Sequence, residues 1–428
     1  MQRFYYGWVI VALTFTVQVV VTGARYSFGV FLEPISSQLG WSISLLSLII
    51  SGFLLCYGLA GPFVGNWADR FGARRILLGG IALMGAGLIA AGLSRSLWQF
   101  ALAMVVIVGL GYSGLSPVVQ SALISRWFTE NKGRALGISS SGIAIGQMLL
   151  VPAAMYVALT YDWRAGFYAL GLAILALLPM AAWGLRDDPA QLGLGAGQRE
   201  AQRAATSSPQ RTPVRYRVAL HTAPFWLLSL SFFGCGFTML MMATHLPNML
   251  TQRGVPPAIG GLAIGIIGGA SALGTVLLSS LSDRFGRRTL LAAAYLLRAV
   301  MLVLFIAIPS TTMVFVFAVL FGMTWIVTSP LTAGLSGDFY GSNSVGRIYG
   351  VAYLRHQIGA FTGTTAAGVL FDLTGGYTTA LWLGVAVSTL SFLLAAALPQ
   401  KARPILPAAS GRAPLSPPPG AVTGPLSS

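Results

Sequence analysis

The sequence predicts an all-α membrane protein with twelve transmembrane helices in two pseudo-symmetric six-helix bundles. Three observations predict it. Only 8% of the 428 residues are charged and 55% are hydrophobic, against about 25% charged in a soluble domain. Apolar runs long enough to cross roughly 30 Å of hydrocarbon as a helix recur, among them 76–93, 97–122, 165–183, 290–309 and 380–398. A short basic turn also occurs twice, with Asp69 and Asp283 at matching places 214 residues apart.

Breaking the runs at charge, Pro and Gly clusters gives the spans in order. Span 1 (6–31) follows a cationic start at Arg3. Its run is too long for a secretory leader and no small-residue cleavage site follows, so it is read as retained. Span 2 (43–67) ends at the Asp69-Arg70 turn, span 3 (76–94) lies between Arg75 and Arg95, and span 4 (98–125) stops at Arg126. Spans 5 (135–159) and 6 (165–185) flank Asp162 and Arg164. Residues 186–222 are rich in Gly, Ser, Pro and Arg and read as a linker between bundles 1–185 and 223–398. Span 7 (223–250) ends before Arg253, span 8 (257–281) ends at Asp283, and span 9 (290–308) ends at Pro309. Span 10 is 312–336, span 11 is 347–371 and span 12 is 377–398. The Pro/Ser/Gly/Ala-rich stretch 399–428 reads as a disordered tail.

The basic residues then orient the chain. Of the 26 Lys and Arg, 20 lie at the amino terminus, in even-numbered connections or in the tail. Arg95, Arg164 and Arg253 lie in odd-numbered connections, and Arg25, Arg298 and Arg355 lie within spans. Cytoplasmic loops are the basic ones, so both termini are expected inside a cell (inner) membrane. The net charge of +16 is thus a topology signal, not a mark of nucleic-acid binding. Arg199–Arg217 could also meet acidic lipid head groups. The ten acidic residues all fall in loops or at span ends. Cys56 and Cys235 lie within spans and read as buried thiols.

The repeat extends beyond the basic turn. Gln38 and Gly40 match Gln252 and Gly254, and one residue off that offset Gly133-Arg134 and Gly137 match Gly346-Arg347 and Gly350. Parallel repeats of this kind place substrate near the bilayer midplane, between the halves.

The pattern Gly65-x-x-x-Asp69-Arg70-x-Gly72-x-Arg74-Arg75, repeated as Asp283-Arg284-x-Gly286-Arg287-Arg288, resembles the signature loop of the major facilitator superfamily. "YYGWVIVA", "RYSFGVFLEPISSQLGWS" and "DWRAGFYALG" resemble its monocarboxylate porter and oxalate–formate antiporter group. The resemblance implies that Asp69 meets the start of span 11, and Asp283 the start of span 5, when the protein faces outward. It implies that Arg70, Arg74, Arg284 and Arg288 support the turns. It further implies that spans 1, 4, 7 and 10 line a cavity, that 2, 5, 8 and 11 flank it, and that the others lie outside. Animal porters of the group carry an Asp and an Arg one turn apart on span 8, where this chain has Ser271 and Thr275.

An arginine at mid-membrane costs about 2.5–3.5 kcal/mol on insertion scales, so it faces protein or water rather than lipid. Arg355, His356 and Gln357 stand together in span 11, where the aligned positions of span 5 hold Gly142, Ile143 and Ala144. The scaffold therefore does not require them. Arg355 is the expected anion ligand, since a guanidinium forks onto a carboxylate. His356 titrates near neutrality and is the expected proton carrier, with a neutral inter-helix histidine as the alternative. Arg25, opposite Met239 in the repeat, is either a substrate ligand or a cation snorkelling to the outer interface. Arg298 reads as a structural inter-helix bond. Gln18, Thr22, Tyr112, Ser116, Gln147, Met241, His245, Trp325 and Thr328 are placed along the cavity by depth alone.

The expected function is secondary transport of small organic anions, monocarboxylates first, by proton symport with alternating access and as a monomer. Anion exchange of the oxalate–formate type, uptake of a neutral or vitamin-like solute such as a flavin, and proton-driven drug efflux are the alternatives. The expected partners are the anion, protons and membrane lipid. There is no phosphate-binding loop, catalytic triad or metal-ligand cluster in the sequence, so an ATP-driven pump and an enzyme are not expected, nor any metal or cofactor.

Overall fold

Helices carry all the expected spans in the computed structural model, which describes residues 5–128, 132–189, 219–308, 310–340 and 345–399. Eleven helical segments are both long and apolar enough to cross a membrane. Span 11, Val345–Thr374, completes the twelve with 30 residues, but its Arg355-His356-Gln357 trio and threonines make it more polar than the rest. The expectations for 190–218 and for the tail from 400 onward lie outside the described residues.

Span 1 is longer than its apolar run. Gly7–Ser27 continues through a 3₁₀ turn, Phe28–Phe31, into Leu32–Leu39. Gly40 then stops the helix at φ 70°, as Gly254 stops span 7 at φ 74°. Side chains bearing a Cβ resist this region. The basic turns use the same device between spans 2 and 3 and between spans 8 and 9, with Gly72 at φ 92° and Gly286 at φ 84°.

Spans 4 and 10 are interrupted. Span 4 runs Leu97–Ala101, a π-helical stretch Leu102–Val108, Gly109–Gly114, and, after a break at Leu115 and Ser116, Pro117–Trp127. Span 10 runs Thr311–Met323 and, after a turn over 324–327, Thr328–Tyr340. The breaks fall beside Ser116-Pro117 and Ser329-Pro330, 213 residues apart. Proline removes an amide donor and crowds the preceding turn; within a membrane such a break persists where neighbouring side chains satisfy the freed backbone groups.

Each half repeats the other's packing. Span 1 packs on span 5 as span 7 packs on span 11, and span 3 on span 6 as span 9 on span 12. A Cβ on Gly146 would lie 2.1 Å from the Val19 carbonyl oxygen, and one on Gly359 the same distance from that of Phe233. Only glycine permits these two matched backbone approaches. Arg74 donates to the Ala182 carbonyl at 2.6 Å, and Arg288 donates to Ala396. These two bonds, 214 residues apart at both ends, tie each basic turn to the last turn of its own half.

The halves meet along two helix pairs, span 2 with span 11 and span 5 with span 8. Their contacts are uneven along the molecule. At the end carrying the odd-numbered loops, the Ser44 amide donates to Asp372 Oδ2 at 3.0 Å, and the Ser44 hydroxyl donates to the same carboxylate. Deeper in, Ser51 bonds Thr365 at 2.7 Å and Gln147 Nε2 donates to the Ile264 carbonyl at 3.1 Å. The series stops at Tyr57 and Tyr353, whose hydroxyls are 3.5 Å apart. Beyond them, no described atom comes within 4 Å of a Cβ built on Gly61, Gly65 or Gly350. Among the described residues, the hydrogen bonds between the halves therefore gather at the odd-loop end and at mid-span.

Candidate functional site

The tyrosines where the inter-half contacts stop surround Arg25. Its Nη1 donates to the Tyr112 hydroxyl at 3.1 Å, and its guanidinium lies 5.1 Å from the centre of the Tyr26 ring and 5.4 Å from that of Tyr112. Tyr112 packs edge-on against Tyr57, with ring centres 4.9 Å apart, and against Phe53. Across the interface, Trp325 stands 6.2 Å from Tyr26. Tyr112 and Trp325 are repeat mates, 213 residues apart, each at the break of its own span. The two broken spans therefore bring aromatic side chains from both halves to one arginine. A water-sized cavity beside Arg25 is lined by Tyr26, Phe28, Phe53, Leu240, Ala243 and Thr244.

Arg25 is incompletely satisfied. Nε is buried with no hydrogen-bond partner, while part of the side chain stays accessible. Among the described residues no carboxylate pairs with it. Two cation–π contacts, at roughly 0.5–1 kcal/mol each, and one hydrogen bond from a charged donor, about 1.5–3 kcal/mol, offset much of the cost of a central arginine but leave Nε without an acceptor. An anion delivered to this guanidinium would make the charge-assisted bonds that the protein does not provide.

Span 1 extends the polar surface toward the end bearing the termini. Thr22 Oγ1 is buried without a partner. Gln18, two turns from Arg25 on the same face, accepts from Gln120 Nε2 at 2.7 Å, and that amide also donates to the carbonyl of Leu115 at the span-4 break.

His356 lies on the other side of Tyr353. Its ring is stacked on that of Tyr353, with centres 5.5 Å apart and planes 6° from parallel, and is 4.6 Å from Phe232. Nδ1 is 3.0 Å from Gln357 Oε1, which can only accept, so Nδ1 donates.

Arg355 goes elsewhere. Its guanidinium rests on Phe225 and Trp226 at the start of span 7, 5.0 and 4.4 Å from their ring centres. The repeat supplies the physical reason. Gly142, its mate on span 5, faces span 1 so closely that a Cβ there would lie 2.7 Å from the Phe15 carbonyl. The position points into its own half, so Arg355 turns toward span 7 and not toward the tyrosines around Arg25.

Two other cavity expectations are corrected in the same way. Met241 is fully buried against Gly384 of span 12. His245 belongs to the closed end: Nε2 donates to the Thr364 carbonyl at 2.9 Å, and Nδ1 accepts from the Tyr377 hydroxyl at 3.0 Å, which also accepts from Asn248. Both ring nitrogens are engaged. Arg70 and Arg284 are exposed on the basic turns; the side chains of Asp69 and Asp283 lie outside the described ones. Tyr26, Tyr57 and Tyr353 were not anticipated; the mating of Tyr112 with Trp325, and of Ser116-Pro117 with Ser329-Pro330, was the signal that could have led to them.

Comparison with known proteins agrees with this architecture. A profile of the Major Facilitator Superfamily matches residues 14–364 and 264–425. The chain is 27% identical to the uncharacterised MFS-type transporter YcxA of Bacillus subtilis, over 86% of this chain and 90% of that protein. It is 26% identical to monocarboxylate transporter 12 of Rattus norvegicus over 91% and 85% of the two chains, and 24% identical to the oxalate:formate antiporter of Oxalobacter formigenes over 93% of each. Among solved structures, a bacterial homologue of the human lysosomal transporter Spinster, inward-facing and occupied, superposes with a TM-score of 0.73 at 19% identity, covering 92% of this chain and 96% of that one. A D-xylose-proton symporter gives 0.73 at 17% identity, covering 93% and 99%.

Proposed function

Because the chain belongs to the Major Facilitator Superfamily, we propose that it is a secondary transporter of small organic monoanions, with the substrate carboxylate bound by Arg25. The observation carrying this is a guanidinium at the meeting of the halves with an unpartnered Nε and no carboxylate against it among the described residues. Tyr112, Tyr57 and Tyr353 supply hydroxyls around it, and Trp325 and Phe53 supply apolar walls. A few convergent polar groups in an aromatic pocket suit a small amphiphile. A single guanidinium at the meeting of the halves, among the described residues, favours one negative charge on the ligand. The names of the rat and Oxalobacter relatives, a monocarboxylate transporter and an oxalate:formate antiporter, support the same class.

On the basic-loop orientation, the termini lie in the cytoplasm and the end bonded through Ser44 and Asp372 faces outward. Rocking the halves about Arg25 would open that end, with Asp69 and Asp283 meeting spans 11 and 5. A proton carried on His356 would make uptake of a monoanion electrically neutral. Tyr353 joins His356 to Tyr57 and, through it, to the Arg25 cluster, giving the proton and anion sites a shared element.

The test is uptake by purified protein in liposomes, with a panel of monocarboxylates under an imposed pH gradient. Inward-acid and inward-alkaline gradients should drive flux in opposite directions. His356→Gln should remove that response while sparing exchange of one anion for another. A gradient response that survives this substitution removes His356 from proton transfer, and flux indifferent to the gradient in the native protein makes it an anion exchanger.

A further inference from the structure

Arg298 is the most deeply buried cation of the described chain, with 0% of its surface exposed, and the transport scheme above does not use it. It projects from span 9 into the break of span 10. Nε donates to Thr324 Oγ1 at 3.0 Å, and Nη2 donates to the carbonyls of Thr324 and Trp325, the latter at 3.1 Å. Nη1 reaches span 7, 3.3 Å from Cys235 Sγ and 3.4 Å from Thr238 Oγ1. Phe321 and Tyr295 cover the guanidinium, 5.6 and 5.9 Å from their ring centres. Among the described residues it has no carboxylate partner. Its acceptors are two hydroxyls, the Cys235 sulfur and two carbonyls, and the carbonyls are those that the interrupted helix leaves exposed.

The sister break is held differently. At the repeat position of Arg298 the first half has Met84. There the Leu115 carbonyl takes a bond from the amide of Gln120, at 2.9 Å. A charged five-donor fork is therefore not needed to break a span at Ser-Pro; it is particular to the second half. What it holds is the turn that carries Trp325, whose ring stands against Tyr26 beside Arg25.

We infer that Arg298 is a positioning residue for the substrate site: it locks the 324–327 turn so that the Trp325 indole is held against Tyr26, the neighbour of Arg25. This rests on the reading of Arg25 as the anion site, but the local claim can be judged without it. A lysine cannot reproduce the arrangement, because one ammonium cannot serve two carbonyls, a hydroxyl and span 7 from one planar group.

Two measurements test it on the full-length protein in detergent and in liposomes. The first is amide hydrogen exchange in native protein, Arg298→Lys and Thr324→Val. Faster exchange confined to peptides covering 320–331 is expected in both, more so in Arg298→Lys. Unchanged exchange there, or acceleration spread over the whole second half, overturns the lock. The second is a double-mutant cycle with Trp325→Ala on carboxylate uptake. Arg298→Lys should raise the apparent KM about tenfold, as loss of bonds to a charged group would, and adding it to Trp325→Ala should cost nothing further. Additive losses would show that Arg298 acts by another route. If Arg298→Lys does not fold, Thr324→Val, which removes one bond and leaves the charge buried, carries both measurements with a smaller expected shift. If native protein moves no carboxylate, the anion reading fails while exchange still decides whether Arg298 holds the turn.

Discussion

Arg25 and Arg355 show what a residue's position in a sequence reveals and what it hides. Both arginines were legible as intramembrane charges, because a cation within twenty apolar residues is conspicuous. Depth does not give direction. Arg355 has a glycine as its repeat mate, and that glycine is a helix-contact glycine, so the position faces span 7 and the guanidinium finds Phe225 and Trp226. Arg25 faces the other half and finds tyrosines. Tyr112 was placed by depth and meets Arg25; Tyr57 and Tyr353 went unnoticed, because a tyrosine in an apolar span looks like packing until its hydroxyl is located. Among the described residues, the hydroxyl of Tyr112 is the single hydrogen-bond partner of Arg25. Tyr112→Phe keeps the ring contacts and removes that partner. Carboxylate uptake should weaken by roughly tenfold or more in apparent KM, since one bond to a charged group is worth about 1.5–3 kcal/mol, with little change in melting temperature. An unaltered KM would place the ligand away from this hydroxyl.

At the scale of elements, apolar runs located every span, but the breaks in spans 4 and 10 were not foreseen. Proline is tolerated within membrane helices when neighbours supply the missing bonds, so Pro117 and Pro330 do not announce themselves in a hydrophobic run; their matching places in the repeat do. The gate at the odd-loop end was equally hidden, because it depends on which helix ends come together. Asp372, at the end of span 11, accepts from the amide and hydroxyl of Ser44 in the first turn of span 2. A carboxylate there also faces the positive end of that helix. The same helix pair carries Asp69 at its opposite end, so each closed end would use one acidic cap. Asp372→Ala should shift the protein toward the conformer that is closed at the terminal end. A cysteine at Gly61, where no described atom lies within 4 Å of the added Cβ, reports this: its maleimide labelling should fall in the Asp372→Ala background. Equal labelling would show that the cap does not bias the halves.

On the scale of the whole molecule, the internal repeat predicted two like halves, and the structure displays their likeness in matched glycine contacts, matched arginine ties and matched broken spans. The asymmetry lies between the halves, where the bonds among the described residues run from Ser44–Asp372 to Tyr57–Tyr353. The sequence could not reveal that the odd-loop end is shut, since both conformers use the same residues. Alternating access requires the shut end to open. Ser51 and Thr365, with hydroxyls 2.7 Å apart across the interface, are close enough for a disulfide between cysteines. Oxidising the Ser51→Cys, Thr365→Cys protein should arrest transport and reduction should restore it; transport that continues with the bond formed would exclude this opening. The central claim, that the anion meets the span-1 arginine and not the span-11 arginine, is tested most directly by carboxylate uptake into liposomes bearing native, Arg25→Gln or Arg355→Gln protein. The account predicts uptake lost in Arg25→Gln and largely kept in Arg355→Gln; the reverse pattern would contradict it.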